Sequence, residues 1–302
     1  MTVNGEKEAK IGVSDSYLRT DLACESASAA AAAPVGAANT REYERGGFSF
    51  AELTVDKESE REAGRRAGRY VTAFTKRLTE LDESEREKFA RALGEEIRDF
   101  TKSVTKKDVS PETSVLVCGL GNRSVTPDAL GPRVVDLLTV TRHIEGGAPF
   151  SRLSAIAPGT LGQTGIEAAE QLAGAVGEVA PDAVIAVDAL AARSTARLAA
   201  TVQLCSSGIS PGSGVGNARR EISERTLGVP VIALGVPTVV DSSTLVFDAL
   251  GAAGLGELGD SVRGVLDEGR TMFVAPRECD VISEITASII AEAIEYAFGV
   301  RT

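Results

Sequence analysis

The sequence predicts an α/β fold: a mostly parallel sheet with helices on both faces. Short runs rich in Val, Ile and Ala alternate with helical patterns along residues 114–297, as strand–helix–strand units do. Glycines cluster at Gly119-Leu120-Gly121-Asn122, directly after such a run, and again at Gly212-Ser213-Gly214-Val215-Gly216-Asn217. With no tryptophan, 4% aromatics and 31 glycines in 302 residues, the core must be aliphatic, which suits strands covered by helices.

Residues 1–47 are polar, small and low in complexity, centred on Ser26-Ala27-Ser28-Ala29-Ala30-Ala31-Ala32-Ala33-Pro34. That composition predicts a mobile or loosely attached stretch. Residues 48–55 alternate apolar and polar side chains and predict a strand, and Gly64 and Gly68 argue against one continuous helix from there to Leu81. Over 84–103, Phe89, Leu93, Ile97 and Phe100 recur at helical spacing, with Ser84 and Glu87 in a capping-box pattern. After Pro111 come a strand at 114–118, the first glycine turn and a helix over 129–138. Further strands are predicted at 153–156, 183–187, 201–204 and 229–234, and helices at 165–179, 243–255 and 280–297.

Charge and composition narrow the function. The net charge is −11 and no block of Lys or Arg is long enough to track a phosphate backbone, so no direct nucleic-acid binding is expected. No apolar stretch reaches the ~20 residues that cross a bilayer, and the N-terminus lacks a basic start and apolar run. The expectation is a soluble intracellular protein without membrane partners.

Cys24, Cys118, Cys205 and Cys279 are far apart and match neither zinc-site nor disulfide spacings, which predicts reduced, mostly buried thiols. The single histidine, His143, is the only residue able to serve as base for serine or cysteine catalysis of the usual kind. Its place past the end of a helix predicts a surface position. No metal and no cofactor are expected.

Two aspartates carry the chemistry. Asp128 stands in Thr126-Pro127-Asp128-Ala129-Leu130-Gly131-Pro132, and Asp188 follows the apolar run 183–187. On neighbouring parallel strands both carboxylates would fall at the C-terminal edge of the sheet, where open α/β folds bind ligands. Taken singly, Asp128 reads as a helix-capping acid and Asp188 as an ion-pair partner of Arg193. Together they read as a pair in which one acid keeps a proton while the other activates water. The glycine turns are weaker signals. Val125 stands where the third glycine of a dinucleotide fingerprint belongs, and the 212–217 loop fits neither that fingerprint nor a phosphate loop. A nucleotide-binding enzyme and a non-catalytic assembly protein therefore stay open beside the hydrolase.

The motifs 119–132, Ala157-Pro158-Gly159-Thr160-Leu161-Gly162-Gln163-Thr164-Gly165-Ile166-Glu167, Val187-Asp188-Ala189-Leu190-Ala191-Ala192-Arg193-Ser194, 211–217 and Gly235-Val236-Pro237-Thr238-Val239-Val240-Asp241 resemble the germination protease family of spore-forming bacteria. They come in the family's order across most of 110–302, with a fainter likeness at 18–25 and 64–72. The resemblance implies an aspartic-type endopeptidase that degrades small acid-soluble spore proteins at germination, in the cytoplasm of the forespore and spore core. Its acid pair falls on Asp128 and Asp188. Within the matching motifs, Asn122, Thr126, Arg193, Gly214 and Asn217 are the expected substrate-binding or supporting residues.

It further implies a homotetramer and a self-processing zymogen: residues 1–17 as propeptide, cleaved near Tyr17 or Leu18, 18–47 as a mobile segment, and 48–302 as one catalytic domain. The family prefers an acid, then an apolar residue, then alanine, so Asp21-Leu22-Ala23 reads as a second cleavage site. Ser206-Ser207 stands where the family carries an acid before Gly-Ile, which weakens any role for a third acid there. The fold is also similar to that of hydrogenase-maturation endopeptidases, whose metal-assisted chemistry would have to run through His143.

Overall fold

The structure, a computed structural model, describes residues 20–25, 38–144, 148–212, 219–255, 259–268 and 272–302. Its centre is one sheet. Strands β1 (Ala38–Arg45), β2 (Phe48–Val55) and β3 (Gly68–Phe74) form an antiparallel meander. They continue into β7 (Thr201–Cys205), β8 (Val231–Asp241), β6 (Ala183–Ala192), β4 (Ser114–Gly119) and β5 (Arg152–Ile156), in that spatial order, with β9 (Phe273–Val274) paired to the end of β8.

Only β5, β4, β6 and β8 run parallel. The sheet is therefore mixed, not mostly parallel, because β7 enters antiparallel to both β3 and β8. The connection from β6 to β7 spans only residues 193–200, too short for the roughly dozen residues a parallel crossover needs.

Side chains alternate along β4: Val115 and Val117 pack in the larger core, Leu116 and Cys118 in a second one on the opposite face. The larger core is covered by α2 (Glu83–Thr105), α3 (Leu130–Leu137) and α9 (Cys279–Ala297), and the second by α5 (Ala168–Val179). Short helices α1 (Glu60–Ala63), α4 (Leu161–Thr164) and α6 (Glu224–Leu227), with α7 (Ser242–Ala252) and α8 (Asp260–Glu268), fill the connections. Helices on both faces agree with the sequence reading.

Phe89, Leu93, Ile97 and Phe100 of α2 are fully buried. The capping box differs from the expected pair: Asp82 accepts from Glu85 N and Glu85 reaches back to Asp82 N, so the helix begins one residue earlier, at Glu83. Within 18–47, Ala38–Arg45 is a strand and Leu22 and Ala23 are buried, which corrects the picture of one loose stretch for those residues. Tyr17 and Leu18, with the expected propeptide, lie outside the described residues.

Candidate active site

The sheet is cut in steps at its C-terminal edge. Strand β4 ends at Gly119, opposite Val187, while β6 continues to Ala192. Asp188 is thus the first β6 residue beyond the end of β4, inside a long strand rather than at its terminus. It is held from the other side by β8, in register with Gly235. Leu120 N donates to Val187 O at 2.8 Å, bending the chain after β4 back toward Asp188.

The loop that carries Asp128 depends on close backbone approach. Gly121 has φ +115°, and a Cβ on it would lie 2.0 Å from Asp128 O, so no side chain is tolerated there. Asn122 N, next in the chain, donates to Asp128 O at 3.1 Å and to Asp128 Oδ2 at 2.8 Å. Behind it, a Cβ on Gly119 would stand 2.2 Å from Gly131 O, which seats the start of α3 on the end of β4. The glycines of this motif serve backbone packing, and the dinucleotide fingerprint is not needed to explain them.

A bulge in β8 completes the support. The register with β6 shifts after Leu190, which pairs with Pro237, to Ala191, which pairs with Val239, leaving Thr238 as the extra residue. Its hydroxyl donates to Pro127 O at 2.8 Å, directly before Asp128. Pro237 is tolerated inside this central strand because it falls at the bulge.

Both acids line one cavity of about 740 Å³, together with Asp21, Arg65, Thr160, Gln203, Pro211 and Gly212, among others. Burial, and then the Asp128 charge, push the Asp188 carboxyl well above the usual carboxylate range; the N–H of Ala189 and the Asp21 charge act in opposite directions behind them. Burial also raises Asp128, opposed by the Asn122 N–H. The arrangement favours a protonated Asp188 beside an Asp128 that ionises first. Cys118 lies beneath, its thiol pushed up to about 12 by burial and by Asp188, far from thiolate chemistry.

Comparison with known proteins bears on this arrangement. The profile of the germination protease family matches residues 20–264, covering the glycine turn, both acids and the β8 bulge. The chain belongs to the germination protease family. The germination protease of Priestia megaterium is 42% identical over 257 residues, covering 80% of this chain and 69% of that protein. That of Bacillus subtilis strain 168 is 41% identical over 256 residues (81% and 69%), and that of Caldanaerobacter subterraneus 44% over 240 residues (77% and 72%). This germination protease family member is accordingly a hydrolase of peptide bonds acting in spore germination.

The other expected site residues of this germination protease family chain fare differently. Asn122 is at the site, bracing Asp128 and accepting from Gln163 Nε2 at 2.7 Å. Thr126 opens the turn, its carbonyl accepting from Ala129 N at 3.3 Å, without lining the cavity. Arg193 does not pair with Asp188: its guanidinium meets Asp248 at 3.1 Å. Gly214 and Asn217 lie outside the described residues.

The capping role considered for Asp128 is corrected as well, since Ala129 is the N-cap of α3 with no side-chain cap. His143 is exposed, and Arg142 N beside it donates to Leu153 O near the start of β5, at the edge of the sheet opposite the acids. Among the described residues no group of three or more His, Cys, Asp or Glu could hold a metal ion, and no helix is long and apolar enough to cross a membrane. Sequence reasoning missed Arg65, although it lies within the fainter family likeness at 64–72, and Gln203, which has no motif around it; both reach the cavity from distant segments.

Proposed function

We propose that this protein is an aspartic-type endopeptidase whose Asp128 and Asp188 act as a pair on one water. What carries the reading is the convergence of the two carboxyls on one cavity with unequal environments. Asp128, the more readily ionised, takes a proton from the attacking water. Asp188, holding its proton, donates it to the peptide carbonyl oxygen; as the C–N bond of the resulting diol breaks, Asp128 passes the water's proton to the leaving amine and Asp188 recovers its proton from a diol hydroxyl.

Family likeness supports the finer terms: small acid-soluble spore proteins as substrate, a homotetramer, forespore and spore-core cytoplasm, and synthesis as a zymogen that removes its own N-terminus. Asp21, a few residues after the expected cleavage point, lines the same cavity as the acids, so the segment that follows the propeptide reaches the site. The metal-assisted alternative lacks support from His143, which is at the far edge of the sheet. The test is incubation of the purified protein with an acid-soluble spore protein and mass spectrometry of the products. Fragments ending in Asp or Glu support the proposal; an intact substrate after self-processing of the chain refutes it.

A further inference from the structure

We propose that Arg65 and Gln203 bind the main chain of the substrate peptide, and that residues 20–25 occupy their groove as an internal stand-in for it. The inference rests on the protease reading above and adds the groups that grip the peptide.

Residues 20–25 lie along the free length of β6. Asp21 N donates to Ala191 O at 2.9 Å, and Ala191 N donates to Asp21 Oδ2 at 2.8 Å. Arg65 then clamps three successive carbonyls: its Nη1 donates to Asp21 O at 3.0 Å, and its Nη2 to Thr20 O at 2.8 Å and Leu22 O at 3.1 Å. Gln203, buried on β7, works in both directions. Its Oε1 accepts from Ala23 N at 2.6 Å and its Nε2 donates to Asp21 O at 3.1 Å.

Apart from the bond to Asp21 Oδ2, these contacts engage main chain, which any extended peptide presents, while pockets between them sort side chains as in strand-addition complexes. Leu22 is fully buried against Leu190 and Ala192, on the strand that bears Asp188, and Ala23 is buried against Tyr70, Cys205 and Ala233. Arg65, Gln203 and Ala191 line the cavity that holds Asp128 and Asp188. A substrate reaching the acids along this edge must displace residues 20–25 and take over the same partners.

Two measurements on the full chain test this. In an Asp188→Asn background, hydrogen exchange is followed at residues 20–25; Arg65→Ala and Gln203→Ala should each speed it about tenfold or more, as loss of such hydrogen bonds predicts. Unchanged exchange overturns the groove. In the self-processed enzyme, with an Asp-Leu-Ala peptide as substrate, the same variants should raise KM about tenfold or more while kcat stays within about threefold.

Arg65→Lys and Gln203→Glu, each keeping part of the bonding, should recover part of that loss. Faster exchange with an unaltered KM would make the two residues a clamp for the N-terminal segment alone and overturn the proposal. The exchange measurement needs no turnover, so a chain that cuts nothing would sink the protease reading while still deciding the groove.

Discussion

Asp21 and Ala191 exchange two hydrogen bonds, backbone N–H to Ala191 O at 2.9 Å and Ala191 N–H to the Asp21 carboxylate at 2.8 Å. An acidic side chain is thereby received by a backbone donor on the strand that carries Asp188, and Asp21 is close enough for its charge to raise the Asp188 carboxyl. The acid preference expected from family likeness has, in this contact, a physical counterpart.

Gly121→Ala should cripple catalysis without unfolding the protein. The new Cβ would be placed 2.0 Å from Asp128 O at a φ of +115°, so the Asp128 loop must move. A displacement on the order of 1 Å at a reacting group costs roughly a hundredfold in rate. Steady-state kinetics beside far-ultraviolet circular dichroism checks this, and near-normal kcat would contradict it.

Thr238→Val keeps the volume and removes the donor to Pro127 O. Loss of about 1 kcal/mol in stability is expected from the unpaired carbonyl, together with a lower kcat because the Asp128 turn is released from β8. Denaturant unfolding and turnover, measured in parallel, decide the point.

Asp188→Asn should raise stability increasingly as pH rises. A carboxyl whose folded pKa lies above its unfolded value stabilises the fold fully below the unfolded pKa and loses that contribution as pH passes through the folded one. Asparagine does not titrate, so the variant's advantage in Tm should grow as pH rises above the ordinary aspartate pKa of about 4, at up to about 1.4 kcal/mol per pH unit. A difference independent of pH would contradict a buried, protonated Asp188.

Arg193→Ala should have little effect on either property. The guanidinium pairs with Asp248 at 3.1 Å in a partly exposed setting, where ion pairs contribute about 0–1 kcal/mol. Activity within about threefold of the parent, at comparable stability, is the expectation; a collapse in kcat would restore Arg193 to the site.

The parallel strands and large helices were readable in the sequence because each is a continuous or periodic apolar pattern. Strand direction was less so. Gly46-Gly47, both at positive φ between Arg45 and Phe48, is a two-residue hairpin signal that the low-complexity stretch before it obscured. Likewise, the eight residues 193–200 already forbid a parallel crossover into β7.

Asp128 and Asp188 were legible because a carboxylate beside an apolar run needs a partner or a task. Arg65 and Gln203 were not, since their partners lie 43 to 45 and 180 to 182 residues away in sequence; the family likeness at 64–72 spans Arg65 without singling it out, and no local pattern marks Gln203. The Arg193 expectation failed for a related reason: adjacency to Asp188 in sequence suggested a pair, while the extended strand carries the two side chains apart.

The most direct test is cleavage of an Asp-Leu-Ala peptide by the parent chain, Asp128→Asn and Asp188→Asn, with each variant's fold verified by its thermal transition. The account predicts scission after the acid by the parent and a loss of about a hundredfold or more in both variants, the scale of general acid–base catalysis. Full activity in either folded variant would contradict the aspartate pair.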